Sequence, residues 1–192
     1  MIVMSTHGRT GLGRFIYGSV ADELLRTSDL PVLLVPRDCE WSWPGDRTLR
    51  VLVPLDGSSL AEAVLGPACE LADALDADLM LPHVTRPANV GPVKLLQAVQ
   101  IAPAGLGEDK RVGPSLESVA AKLRAPNRAV AVREVIGSPA PAIVRVAEEE
   151  TVDVIAMTTH GRGGLARVVL GSVATGVLQR TSVPLLVVCS AR

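Results

Sequence analysis

Residues 4–35, MSTHGRTGLGRFIYGSVADELLRTSDLPVLLV, return almost unchanged at residues 157–188 as MTTHGRGGLARVVLGSVATGVLQRTSVPLLVV. Over residues 2–36 and 155–189 the two stretches align without a gap at a constant offset of 153, with 17 of 35 positions identical. This repeat restricts the fold more than any other feature, because both stretches must form the same supersecondary unit. Each reads as an apolar strand, a glycine-bearing loop, a helix and a closing apolar strand. The second unit follows enough chain to complete a domain, whereas the first opens the chain. Residues 1–36 are therefore expected to be the last quarter of a second, tandem copy. Residues 37–48, polar and containing Pro44-Gly45, read as a linker, and residues 49–190 as the complete domain. Truncation of a longer tandem chain is the favoured explanation of the front unit. The other is a remnant that docks on the complete domain and covers its edge strand.

The complete unit alternates strand and helix five times. Apolar runs at 50–56, 78–84, 128–136, 152–158 and 184–188 read as strands. Helical spacing relates Leu60, Val64, Ala68, Leu71 and Leu75, with Ser59 and Glu62 as a capping box. A second helix is expected over 114–125, and a third over 138–150 with Ser138 as N-cap and Pro139 at its first position. A fourth begins near Gly171, and a short one is expected near Val93–Val99. Such alternation predicts an α/β fold: a five-stranded parallel sheet with right-handed crossovers. Pro67 inside the first helix and Pro82 inside the second strand fit these assignments badly.

The composition is consistent with that fold and narrows the function. With 48% hydrophobic but only 2% aromatic residues, the core must be aliphatic, as buried parallel strands require. The net charge of −1 offers no basic footprint for nucleic acid. No apolar run approaches the roughly 18 residues that span a membrane, and the start does not resemble a secretory signal. Three scattered cysteines without CxxC or His-paired spacing read as reduced thiols of a cytoplasmic protein, with no metal site.

In open α/β sheets, ligands bind beyond the carboxyl ends of the strands where strand order reverses. The loop after the fourth strand lies at such an end. Gly161 allows backbone N–H groups to approach a ligand; nine residues later Gly171 and Ser172 begin a helix, whose exposed N–H groups favour an anion. Arg162 and Arg167 could offset phosphate charge. Each residue also has a plain structural role: tight turns for the glycines, an N-cap for Ser172, solvated loop charges for the arginines, and a hydrogen-bonded loop residue for His160. Asp56, which ends the first strand, could equally lead an Asx-turn into the helix.

At these residues the sequence resembles the universal stress protein family. ATP-binding members of that family carry Gly-x2-Gly-x9-Gly-(Ser/Thr) after strand four, and here Thr158, Gly161, Gly171 and Ser172 occupy that pattern. VLVPLDGS at 51–58, PHV at 82–84 and RTSVPLLVV at 180–188 agree with it. The resemblance implies a Rossmann-like nucleotide-binding fold with strand order 3-2-1-4-5 and helices on both faces. It implies ATP, with or without magnesium, between strands one and four. Asp56 would face the ribose or adenine side, Val84 the base through its backbone, and Gly161, Gly171 and Ser172 the phosphates; Pro54, Thr158, His160, Arg162 and Val173 complete the expected contact set. The family's first glycine is Thr158 here, and Ser5 in the front copy, so a side chain either crowds the phosphates or donates a hydroxyl. The front copy keeps Gly8, Gly18 and Ser19 without a counterpart of Asp56, and is expected to bind no nucleotide alone. The family's fifth strand commonly pairs antiparallel in a dimer, which implies a homodimer, or a pseudo-dimer through Pro31–Val35. The chain is expected to act as an ATP-binding stress-response regulator with at most slow ATP hydrolysis, the alternative being a dimerising interaction module without nucleotide.

Overall fold

The computed structural model describes residues 1–6, 18–37, 39, 45–86, 116–159 and 170–189. The front unit forms β1 (Ile2–Ser5), α1 (Ser19–Thr27) and β2 (Val32–Val35). The following chain forms β3 (Leu49–Leu52), α2 (Ser59–Glu62), α3 (Leu65–Leu75), β4 (Ala77–Thr85), α4 (Leu116–Leu123), β5 (Val130–Ile136) and α5 (Pro139–Glu149). It closes with β6 (Val154–Thr158), α6 (Ser172–Leu178) and β7 (Leu185–Val188). The short helix expected near Val93–Val99 lies outside the described residues.

The sheet has seven strands, not the five expected, in the order β1-β2-β7-β6-β3-β4-β5. Five of them, β7-β6-β3-β4-β5, run parallel in the anticipated order; the front unit adds β1 and β2 to the same sheet. The join is antiparallel, so the sheet is not wholly parallel: Val32 pairs with Val187, Leu33 with Leu186, and Leu34 with Leu185. Leu33 and Leu186 are also equivalent positions of the repeat, 153 residues apart. A pseudo-two-fold axis therefore passes through the Leu33–Leu186 pair and relates β1-α1-β2 to β6-α6-β7. The edge strand that the last apolar run would otherwise expose is paired within the chain.

Apolar layers cover both faces of the sheet. On one, Ala21 and Leu25 of α1, Ile143 and Val146 of α5, and Ala174 and Val177 of α6 pack on Val32, Leu34, Ile155, Leu185 and Val187. On the other, Ala61, Ala68, Leu71, Val119 and Ala120 pack on Val51, Val53, Leu79, Leu81 and Leu186. β7 alternates between the two layers, which is why all four of its residues are buried. Burying each such Val or Leu contributes about 1.5–3 kcal/mol.

The expected first helix is two helices. Ala63 and Val64 break it, and Pro67 becomes the third residue of α3, where a missing N–H costs no intrahelical bond. Its cap is Ser58 rather than Ser59: the Ser58 hydroxyl accepts from Ala61 N–H at 3.1 Å. Ser138 and Pro139 take the expected N-cap and first helical positions of α5. α5 and α6 meet closely at Gly176, where an added Cβ would lie 2.8 Å from Ala140 Cβ. Gly176→Ala is accordingly expected to cost about 1–2 kcal/mol in urea unfolding, despite alanine's better helix propensity.

At the amino ends of β3 and β6, the Asp153 carboxylate receives Arg47 through two bonds of 2.8 and 2.7 Å, and the Arg50 N–H at 2.8 Å. The bond to Asp153 holds the Arg47 guanidinium above its usual range. The segment preceding β3 is thereby fastened to the sheet.

Candidate functional site

Strand order reverses between β3 and β6. From β3 the chain builds outward through β4 and β5, and then returns to place β6 and β7 on the other side. β3 and β6 are parallel, with Val51 opposite Val154 and Leu52 opposite Ile155, so their carboxyl ends share one end of the sheet. This is the position at which doubly wound sheets bind ligands. Asp56 follows β3 by four residues, and Thr158 ends β6. The Gly171 N–H donates to Thr159 C=O at 2.5 Å, which fastens the start of α6 to the same end. Asp56 and Ser172 thus lie at one end of the fold.

Locally, Asp56 is exposed and its Oδ1 accepts from the Ser58 N–H at 3.0 Å and the Ser58 hydroxyl at 2.5 Å. It therefore does lead an Asx-turn into α2. Gly57 inside that turn has φ +75°, a conformation glycine adopts without strain. Gly171, not Ser172, is the N-cap of α6; Ser172 is its exposed first residue, and Val173 packs partly against the core. Thr158 is half-buried and pairs with Val188. His160, Gly161, Arg162 and Arg167 lie outside the described residues.

The ladder between β3 and β4 is incomplete toward this end. Their register runs from Leu49–Ala77 to Leu52–Met80, and continuing it sets Val53 opposite Leu81 and Leu55 opposite His83. Val53 N–H donates to Met80 C=O at 2.8 Å, and Leu55 N–H to Pro82 C=O at 3.1 Å. A regular parallel ladder would return two bonds, from residue 82 N–H to Val53 C=O and from Val84 N–H to Leu55 C=O. The first cannot form because residue 82 is proline. The second is replaced: His83 Nδ1–H donates to Leu55 C=O at 2.9 Å, the carbonyl fixing the tautomer because it can only accept. Val84 N–H and C=O, which alternation turns toward β3, have no partner among the described residues. Pro54, turned toward β6, likewise brings no N–H to that side.

The sequence marked Pro82 as a misfit in its strand and PHV at 82–84 as a motif of the family resemblance, but gave His83 no role of its own. A hydrogen bond from its side chain to a carbonyl 28 residues away has no signature in periodicity or spacing. Among the described residues no group of His, Cys, Asp or Glu could hold a metal, and no helix is long and apolar enough to cross a membrane. The three cysteines are free thiols, and burial pushes the Cys69 and Cys189 thiols up, away from nucleophilic behaviour.

Comparison with known proteins agrees with this architecture. The sequence model of the Universal stress protein family matches residues 1–36 and 48–188. Universal stress protein Rv2005c of Mycobacterium tuberculosis is 31% identical over 189 residues, covering 97% of this chain and 61% of the relative. The chain thus spans about three-fifths of the length of such curated relatives. Universal stress protein MJ0577 of Methanocaldococcus jannaschii is 44% identical over 54 residues, 28% of this chain and 33% of the relative. A solved structure of MJ0577 matches with TM-score 0.61 and 26% identity over 75% of this chain and 97% of its own. A putative universal stress protein from Pseudomonas aeruginosa has the same fold, with TM-score 0.64 at 19% identity over 98% of this chain and 62% of its own.

Proposed function

The chain belongs to the universal stress protein family, and from that membership we propose that it binds ATP at the carboxyl ends of β3 and β6 and serves as a stress-response regulator in the cytoplasm. One observation carries the reading. One strand away from the reversal point, at the end of β4, Val84 turns toward β3 a main-chain N–H and C=O that have no partner among the described residues, a donor and an acceptor suited to the edge of a base. Asp56, at the same end, is the carboxylate for the ribose or adenine side. Gly171 and Ser172, with Gly161, are assigned to the phosphates; Pro54, Thr158, His160, Arg162 and Val173 complete the set. The residues fit a nucleotide, which would supply the signal that the protein reads.

Residues 1–36 are taken as the last quarter of a tandem copy, residues 37–48 as a linker, and residues 49–190 as the complete domain. In this reading β2 stands in for the last strand of a second subunit and makes the chain a pseudo-dimer. The second reading, an interaction module without nucleotide, is favoured by one feature: Thr158 stands where the ATP-binding motif has its first glycine.

Calorimetric titration with ATP and magnesium separates the two. Saturable binding below millimolar is expected, weakened about two- to tenfold by Ser172→Ala and by Asp56→Asn, as the loss of single hydrogen bonds implies. Absence of saturation would leave the interaction module.

A further inference from the structure

The geometry points to Pro82 and His83 as a positioning pair that leaves the β3–β4 ladder incomplete at its end, so that the Val84 main chain is available to the base; the inference rests on the nucleotide reading above. Each removes one bond that would otherwise zip the two strands together. Pro82 has no N–H with which to answer Val53 C=O. His83 places its Nδ1–H on Leu55 C=O at 2.9 Å, occupying the acceptor that Val84 N–H would claim in a regular ladder. The two substitutions act on successive rungs, and β3 accordingly ends at Leu52 while β4 continues to Thr85.

β4 does not depend on that seam for its order. On its other side it pairs with β5 over seven residues, from Leu79–Val130 to Thr85–Ile136, and Gly137 N–H adds a bond to Thr85 C=O at 3.0 Å. Val84 is therefore held rigidly by β5 while its polar groups face β3, an arrangement that preorganises a reading edge. His83 also restrains the segment that leads from Leu55 to Asp56. One side chain thus sets both the freedom of the Val84 main chain and the position of the carboxylate. A plain strand residue at 83 would leave Leu55 C=O to Val84 N–H and consume the donor that the base needs.

The test measures amide exchange in the full-length protein alongside ligand binding. In the parent, Val84 N–H is expected to exchange quickly despite lying within β4. His83→Ala frees Leu55 C=O, and Val84 exchange is expected to slow by about tenfold or more. Pro82→Ala restores a rung and is expected to act in the same direction. Both variants should bind ATP about tenfold or more weakly and inorganic tripolyphosphate as the parent does, because only the base edge is affected. His83→Asn, whose side-chain N–H can still donate to Leu55 C=O, should retain fast Val84 exchange and most of the ATP affinity. A residue with a merely structural role would lower Tm and leave Val84 exchange unchanged. Slow Val84 exchange in the parent, or parental ATP affinity in both Pro82→Ala and His83→Ala, overturns the inference. If the parent binds no ATP at all, the nucleotide reading fails, while Val84 exchange still decides whether the pair leaves the ladder incomplete.

Discussion

Asp153→Ala is expected to lower the free energy of unfolding by about 3–5 kcal/mol, the range measured when one partner of a buried ion pair is removed. Asp153 is only 4% exposed, and three donors converge on its carboxylate: two from Arg47 and the main-chain N–H of Arg50. Truncation leaves a buried N–H without an acceptor and releases the segment before β3. Arg47 keeps about a third of its side chain in water, which places the expected cost toward the lower end of the range. Asp153→Asn retains an acceptor for Arg50 N–H but loses the charge, and should cost roughly half as much. Urea unfolding followed by circular dichroism reads all three proteins. A loss below about 1 kcal/mol for Asp153→Ala would mean that the carboxylate merely decorates the ends of β3 and β6.

Removing residues 1–36 is expected to change the association state. β7 would lose its antiparallel neighbour along Leu185–Val187, and the layer beneath it would lose Ala21, Leu25, Val32 and Leu34. What remains is an uncharged, wholly apolar strand at a sheet edge, the arrangement most prone to pair with another chain. Two shortened chains can meet antiparallel with Leu186 on the axis, reproducing the β2–β7 pairing with a true two-fold in place of the pseudo-two-fold. Sedimentation should report twice as many chains per particle as in the parent. A shortened protein with the parent's association state would show that β2 does not act as a stand-in for a second subunit.

Much of this organisation was legible in the sequence because repeats and apolar periodicity are local signals. The repeat placed β1-α1-β2 and β6-α6-β7 as equivalent units, and the alternation of strand and helix led to the five parallel strands. The seven-stranded sheet was not reached by that route, because whether two strands 153 residues apart pair is a tertiary matter; only the family resemblance offered the pairing of Pro31–Val35 with the last strand, as one of two alternatives. The first helix cap falls one residue away from the expected position because Ser58 and Ser59 are adjacent and chemically alike, and only the bond to Ala61 distinguishes them. Pro67 looked like a breaker until the split at Ala63–Val64 moved it into a first turn. The Asp153–Arg47 pair and the His83–Leu55 bond were invisible for a common reason: each joins a side chain to a partner chosen by strand order. At the candidate site, Asp56 and Ser172 could be placed at one end by topology alone, whereas the freedom of the Val84 main chain depended on what its neighbours lack.

The Leu33–Leu186 axis carries a kinetic consequence. When two separate molecules join through such strands, the joined fraction falls on dilution; when both strands belong to one polypeptide, the partner is always present at an effective concentration set by the intervening chain. The seam should therefore form as a first-order step, with an occupancy indifferent to how much protein a cell makes. The two repeat units are also free to diverge, since a change in one is not imposed on the other.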